Sequence, residues 1–197
     1  MKIIAVTGGI GSGKSTFSEQ ATKKGFKLLD SDKEVSKLYK KPSADFIQFL
    51  KKVGLGESVK NKKINKSKIL NIIFSNVIIK TKLENYIFKI IRKNRQRFIL
   101  TQKQRKTKIV FLDIPLLFEN NLQNEFDTII SIITKRKIRY QRLKKSKKMT
   151  KNMFKKIIKH QTSDVVRRNK SDIVITNNTS LKNFIKKTNK LIDNLIT

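Results

Sequence analysis

The chain has 197 residues, enough for one domain of ordinary size carrying inserted lobes around a substantial core. It contains no cysteine, which excludes disulfides, thiolate metal sites and cysteine nucleophiles and suits a reducing interior. Lys+Arg 47 against Asp+Glu 14 give a formal charge of +33, which raises nucleic acid or an anionic membrane surface as partners.

The first element is Ile3-Ile4-Ala5-Val6, a short apolar strand that runs into Thr7-Gly8-Gly9-Ile10-Gly11-Ser12-Gly13-Lys14-Ser15-Thr16. Gly8 to Ser15 fit G-x-x-x-x-G-K-[ST], the phosphate-binding loop, and a helix-compatible run over 16–24 follows, as that motif requires. The spacing has a physical reason. Successive backbone N–H groups can wrap a polyphosphate only where side chains leave the approach open, and Gly8, Gly9, Gly11 and Gly13 do so around Ile10 and Ser12. Lys14 is placed to reach β- and γ-phosphates, Ser15 is the expected Mg2+ ligand, and Thr16 continues into the helix, whose N-terminus favours an anion. The alternative is a glycine-rich turn that only joins a strand to a helix.

Phe26-Lys27-Leu28-Leu29-Asp30 reads as a second strand ending in the cluster Asp30-Ser31-Asp32. In an open parallel sheet ligands gather at the carboxyl ends of the strands, so a carboxylate here could accept a proton from an attacking hydroxyl or hold magnesium through water. Alternatively Asp30 or Ser31 caps a helix beginning near Lys33. Over 33–105 apolar residues recur at helical spacing, giving a mostly helical insertion broken at Pro42 and around Gly54 and Gly56, with a helix start at Asn65-Lys66-Ser67. It is the natural place for an acceptor lobe, or else a plain helical cover for the sheet.

Lys108-Ile109-Val110-Phe111-Leu112-Asp113 is an apolar strand closed by an aspartate, the form of a magnesium-orienting acid opposite a phosphate loop. Residues 126–134 and 171–176 supply a fourth and a fifth buried strand. Between them 135–168 is helical and basic, with Arg136, Arg139, Arg142, Arg167 and Arg168, and it is positioned either as a mobile lid or as a solvated basic helix pair. His160, the only histidine, reads as a helix-surface residue, and 180–196 is an amphipathic helix that packs back on the sheet.

Taken together, the Gly-Gly-Ile-Gly-Ser-Gly-Lys-Ser loop, Asp30-Ser31-Asp32, Pro115-Leu116-Leu117-Phe118-Glu119, Gln161 and the run from Asp172 to Asn177 resemble the dephospho-CoA kinase family over almost the whole chain. The resemblance implies an α/β P-loop fold with a parallel five-stranded sheet. Its nucleotide-binding core would comprise 1–32, 106–134 and 169–197, with a helical CoA-binding lobe over 33–105 and a lid over 135–168. It implies ATP and Mg2+, and transfer of the γ-phosphoryl to the ribose 3′-hydroxyl of dephospho-CoA. Asp32 would be the general base with Lys14 and Arg142 as further catalytic groups, and Gly9 to Thr16, Arg139 and Asn177 would hold the nucleotide. Ser15 and Asp113 would hold the metal. The chain departs from the family pattern at Ser36-Lys37, at Phe88-Lys89 in place of a usual His-Pro, and at Ser146-Lys147 in place of a usual Arg-Asp. A kinase of another small acceptor such as a nucleotide, or an ATP-dependent nucleic-acid-binding protein, are the rival readings. The lysines are spread over the chain without a zinc-finger, RNP or basic-tail pattern, so no specific nucleic-acid partner is expected, although the charge permits non-specific binding. With no leader and no membrane-length apolar run, a cytoplasmic location without a membrane partner is expected.

Overall fold

A computed structural model describes residues 1–145 and 149–195. The chain begins with β1 (Lys2–Gly8), α1 (Lys14–Lys23), β2 (Lys27–Asp30), α2 (Ser31–Lys40) and α3 (Ala44–Leu50). A hairpin of β3 (Val59–Lys60) and β4 (Lys63–Ile64) precedes α4 (Lys66–Ser75) and the long α5 (Val77–Gln104). Then come β5 (Ile109–Asp113), β6 (Thr128–Ile133), α6 (Arg136–Lys145), α7 (Lys151–Lys159), α8 (Asp164–Lys170), β7 (Ile173–Thr176) and α9 (Leu181–Asn194). The elements fall into two compact units, Met1–Asp30 with the described part of Gln102–Thr197, and Ser31–Thr101.

The first unit is built on a five-stranded sheet in the order β2-β5-β1-β6-β7, every pair parallel. Its strands are near-continuous apolar runs because helices cover both faces of such a sheet. On one face Ile4, Val6, Phe111, Ile130, Ile132 and Ile175 pack with Phe17 and Ala21 of α1 and Phe184 and Ile192 of α9. Phe111 meets Phe17 and Phe26 edge-on at 5.7 and 5.3 Å. The alternate residues Ala5, Leu112, Ile129 and Ile133 are buried as well. Because β1 lies at the centre with β5 on one side and β6 on the other, the loop after β1 sits where the strand order reverses, the usual ligand position of open α/β sheets.

The second unit has its own core of Phe46, Leu50, Leu55, Ile69 and Leu83, against which Tyr39, Phe49 and Tyr86 pack. Tyr86 stacks on Phe49 with centroids 3.8 Å apart and planes at 13°. Ser43 and Asn65 cap α3 and α4, accepting hydrogen bonds from Phe46 N and Lys68 N. The segment is not helical throughout. The β3-β4 hairpin turns through Asn61 and Lys62, both at positive φ (49° and 59°), the geometry of a two-residue hairpin turn. The helix after β2 also begins at Ser31 rather than near Lys33, so Asp32 lies in its first turn.

Candidate active site

The loop between β1 and α1 is shaped by backbone that only glycine adopts easily. Gly13, the residue before α1, sits at φ +111°, and a Cβ there would collide with the Asn177 side-chain amide. Gly9 is fixed by close approach instead, since a Cβ on it would land on the Arg139 guanidinium. Ser12 N donates to Gly9 O at 3.1 Å, closing the turn. Lys14 Nζ reaches back over the loop and donates to Gly8 O at 2.9 Å.

Distant parts of the first unit hold the loop in place. Ser12 O accepts from Thr134 Oγ1 at 2.9 Å and from Asn177 Nδ2 at 2.7 Å, and both donors are buried. Arg142 of α6 donates through Nη2 to Asn177 O at 3.2 Å and to Asn177 Oδ1 at 3.1 Å. The Asn177 amide is therefore oriented by Arg142 on one side and grips the loop on the other. Ile10 N donates to Gln161 Oε1 at 3.0 Å, so a side chain from the end of the basic helical segment touches the loop directly.

Arg139 and Arg142 share α6 but not their surroundings. Arg139 is 4% exposed against Gly9, whereas Arg142 is half-buried and Arg136 is exposed. Burial lowers the Arg139 pKa from its ordinary value, with Asp164 opposing the shift and Arg167 and Arg136 adding to it, and burial also lowers that of Arg142. A guanidinium remains charged under such pressure, so both are cations held at the loop in partly desolvated positions, where an anionic oxygen gains most.

Carboxylates line the neighbouring strand ends. The register pairs Asp30 of β2 with Asp113 of β5, and Asp113 in turn with Val6 of β1. Registered residues of parallel strands project to the same face, so these two carboxyl groups emerge side by side at the carboxyl edge of the sheet. Asp113 is 5% exposed and its Oδ2 accepts from Ser18 Oγ at 3.1 Å. Ser15 is exposed in the first turn of α1. Hydroxyl and carboxylate oxygens are the hard donors that magnesium takes, usually a few at a time beside phosphate oxygens. Among the described residues no group of three or more His, Cys, Asp or Glu side chains is placed to hold a metal ion.

Asp32 is exposed in the first turn of α2, within the second unit. Ser146-Lys147 lies outside the described residues. His160 is exposed at the end of α7, and Arg168 is exposed on α8. Arg167 differs from a solvated lid arginine. Its side chain is 1% exposed and pairs with Glu119 at 3.3 Å and Asp164 at 3.1 Å. Glu119 Oε1 also accepts from Thr162 N at 2.6 Å, beside Gln161, so the run from Pro115 to Glu119 ends on a buried ionic anchor for the residues that touch the loop. Thr134 and Glu119 carry no local sequence signal for these roles, because Ser12 and Arg167 lie on remote segments, whereas Asp164 and Arg167 pair at i,i+3 within α8.

The family model described as dephospho-CoA kinase matches residues 2–183. A dephospho-CoA kinase of Fusobacterium nucleatum is 34% identical over 194 residues, covering 98% of this chain and 98% of that protein. Another, from Bartonella quintana, is 32% identical over 197 residues, covering 100% and 99%. Among solved structures, the dephospho-CoA kinase from Campylobacter jejuni superposes with a TM-score of 0.75 at 28% identity, covering 99% of this chain and 98% of that one.

Proposed function

Because the chain belongs to the dephospho-CoA kinase family, we infer that it phosphorylates dephospho-CoA with ATP to give coenzyme A, the γ-phosphoryl passing to the ribose 3′-hydroxyl. The observation that carries the reading is the glycine loop with Lys14 on it and two partly desolvated arginines, one against Gly9 and one on Asn177, in a chain whose family match spans nearly its whole length. Phosphoryl transfer asks a protein chiefly for position and charge, and this loop offers both.

On this reading the loop from Gly9 to Thr16 holds the triphosphate through its backbone N–H groups, Ile10 N giving up its bond to Gln161 Oε1, Ser12 N its bond to Gly9 O, and Lys14 its bond to Gly8 O for phosphate oxygens. Arg139 and Arg142 stabilise the charge that develops on the moving group. Ser15 and Asp113 would hold Mg2+, which when bound neutralises phosphate charge. Asp32 accepts the proton of the attacking hydroxyl. The segment 33–105 is the acceptor lobe and 135–168 the lid, and a cytoplasmic location suits the two soluble substrates.

The test compares ADP release with dephospho-CoA, with a nucleoside and with a nucleoside monophosphate as acceptors. Release that depends on dephospho-CoA is expected, and Asp32→Asn lowers kcat by roughly 10²–10⁴ while ATP still binds. Equal release with a nucleoside monophosphate would move the chain to another acceptor, and a comparable loss in Asp30→Asn with Asp32→Asn near wild type would move the proton acceptor to Asp30.

A further inference from the structure

The second unit carries an exposed apolar feature outside its own core. Residues 69–79, Ile-Leu-Asn-Ile-Ile-Phe-Ser-Asn-Val-Ile-Ile, hold no charged side chain in a chain that is 31% charged. They form the end of α4, the bend at Asn76 and the start of α5, where the Asn76 side chain accepts from Ile79 N at 3.0 Å. The inner side of this elbow is accounted for, since Ile69 is buried and Ile72, Ile73 and Ile79 pack on the core of the unit. Its outer side is also apolar. Leu70 is 57% exposed, Phe74 81%, Val77 73% and Ile78 69%. Leu70 and Phe74 are one helical turn apart and share a face, and Val77 and Ile78 continue the patch across the bend.

Lysines border this tip at both ends. Lys66 and Lys68 precede it on α4 and Lys80 and Lys82 follow it on α5, all exposed. The nearest acid in sequence is Glu84, which pairs with Lys80 at 3.9 Å, and Lys66 Nζ lies 4.7 Å above the Tyr39 ring. Large apolar side chains at an exposed bend, flanked by long cations that can extend past them, match an element that lies in the headgroup region of an anionic bilayer.

We propose that the elbow between α4 and α5 docks this protein on anionic lipid surfaces, with Leu70, Phe74, Val77 and Ile78 entering the interface and the flanking lysines meeting the headgroups. Charge complementarity selects this occupant over a second copy. Two such tips meeting would bring their lysines together, within chains of formal charge +33 each. The contact is peripheral, since no helix among the described residues is long and apolar enough to cross a membrane.

The chain has no tryptophan, so Phe74→Trp places a single reporter at the tip. Full-length Phe74→Trp protein is mixed with phosphatidylcholine vesicles, then with vesicles containing phosphatidylglycerol, at about 0.15 M salt where exposed charges act over only ~8 Å. The expected result is a blue-shifted emission on the anionic vesicles alone. Phe74→Ser with Ile78→Ser should weaken co-sedimentation of the otherwise wild-type protein by about tenfold or more, because apolar area and charge act together in such binding. Both side chains point outward, and circular dichroism checks that the fold is kept. If the double variant unfolds, the tryptophan emission decides alone. Vesicle binding with unshifted emission, or equal sedimentation of a folded double variant, would show attraction by the general charge and overturn the proposal. Tip-dependent dimers in sedimentation velocity without vesicle binding would overturn it in favour of a second copy.

Discussion

Removing the Glu119 carboxylate tests how the loop is held. Arg167 is 1% exposed and has two acidic partners, Glu119 at 3.3 Å and Asp164 at 3.1 Å. Glu119→Ala leaves that cation with one partner and also deprives Thr162 N of its 2.6 Å acceptor. Breaking a buried ion pair from one side costs about 3–5 kcal/mol, because the desolvated charge stays behind. Glu119 is itself 16% exposed and Asp164 remains, so the lower end, about 3 kcal/mol, applies. In a chain of this size that corresponds to a fall in Tm of roughly 6–12 °C. Glu119→Gln keeps an acceptor oxygen for Thr162 N and should lose less. Differential scanning calorimetry measures the shift, and replacing Glu119 and Arg167 together by leucine should recover part of it, since the buried cation is then gone and Asp164, 31% exposed, can be solvated. A Tm within about 2 °C of wild type for Glu119→Ala would refute the reasoning, by showing that solvent reaches Arg167 readily.

Lys14→Ala should lose phosphoryl transfer by orders of magnitude in a folded enzyme, measured as kcat, because stabilising the charge on the transferring group lowers the barrier more than any other effect. Arg142→Ala removes the two bonds that orient Asn177 and should lower kcat far more than it weakens ATP binding in isothermal titration; unchanged kcat in both Arg142→Ala and Arg139→Ala would make α6 a structural helix only. Gly9→Ala forces Arg139 out of its place and should reduce kcat/KM for ATP, while Gly25→Ala, at φ +85° with nothing within 4 Å of a Cβ, should lower Tm through backbone strain yet leave kcat/KM for ATP unaltered.

The parts of this structure that were legible in the sequence are those whose cause is local. The glycines and Lys14 between a β-branched run and a helix specify a loop by backbone geometry alone, and the apolar runs Ile3-Ile4-Ala5-Val6, 26–30 and 108–113 supply strands of the parallel sheet, the first extended to Lys2–Gly8 and the other two each shorter by their first residue. The β3-β4 hairpin escaped because each strand has two residues and its turn uses Asn61-Lys62 without a glycine. The start of α2 at Ser31 escaped because strand and helix adjoin with no spacer. Gln161 and Asn177 were singled out as residues, but the bonds by which they support the loop were illegible for a different reason. Thr134 and Asn177 meet Ser12 O across 122 and 165 residues of chain, and Gln161 meets Ile10 N across 151, so the pairing exists only once the sheet has formed. Arg167 among the basic residues of 135–168 looked like its exposed neighbours, and only burial between Glu119 and Asp164 sets it apart.

The most direct test of the central claim follows the phosphoryl group itself. The enzyme is incubated with ATP labelled at the γ-phosphate and with dephospho-CoA, and the product is separated and treated with a 3′-nucleotidase. Label in a product that co-elutes with coenzyme A, released by the 3′-nucleotidase and absent with Lys14→Ala, is the predicted result. Label recovered only as inorganic phosphate, or in a product that resists the 3′-nucleotidase, would contradict the account.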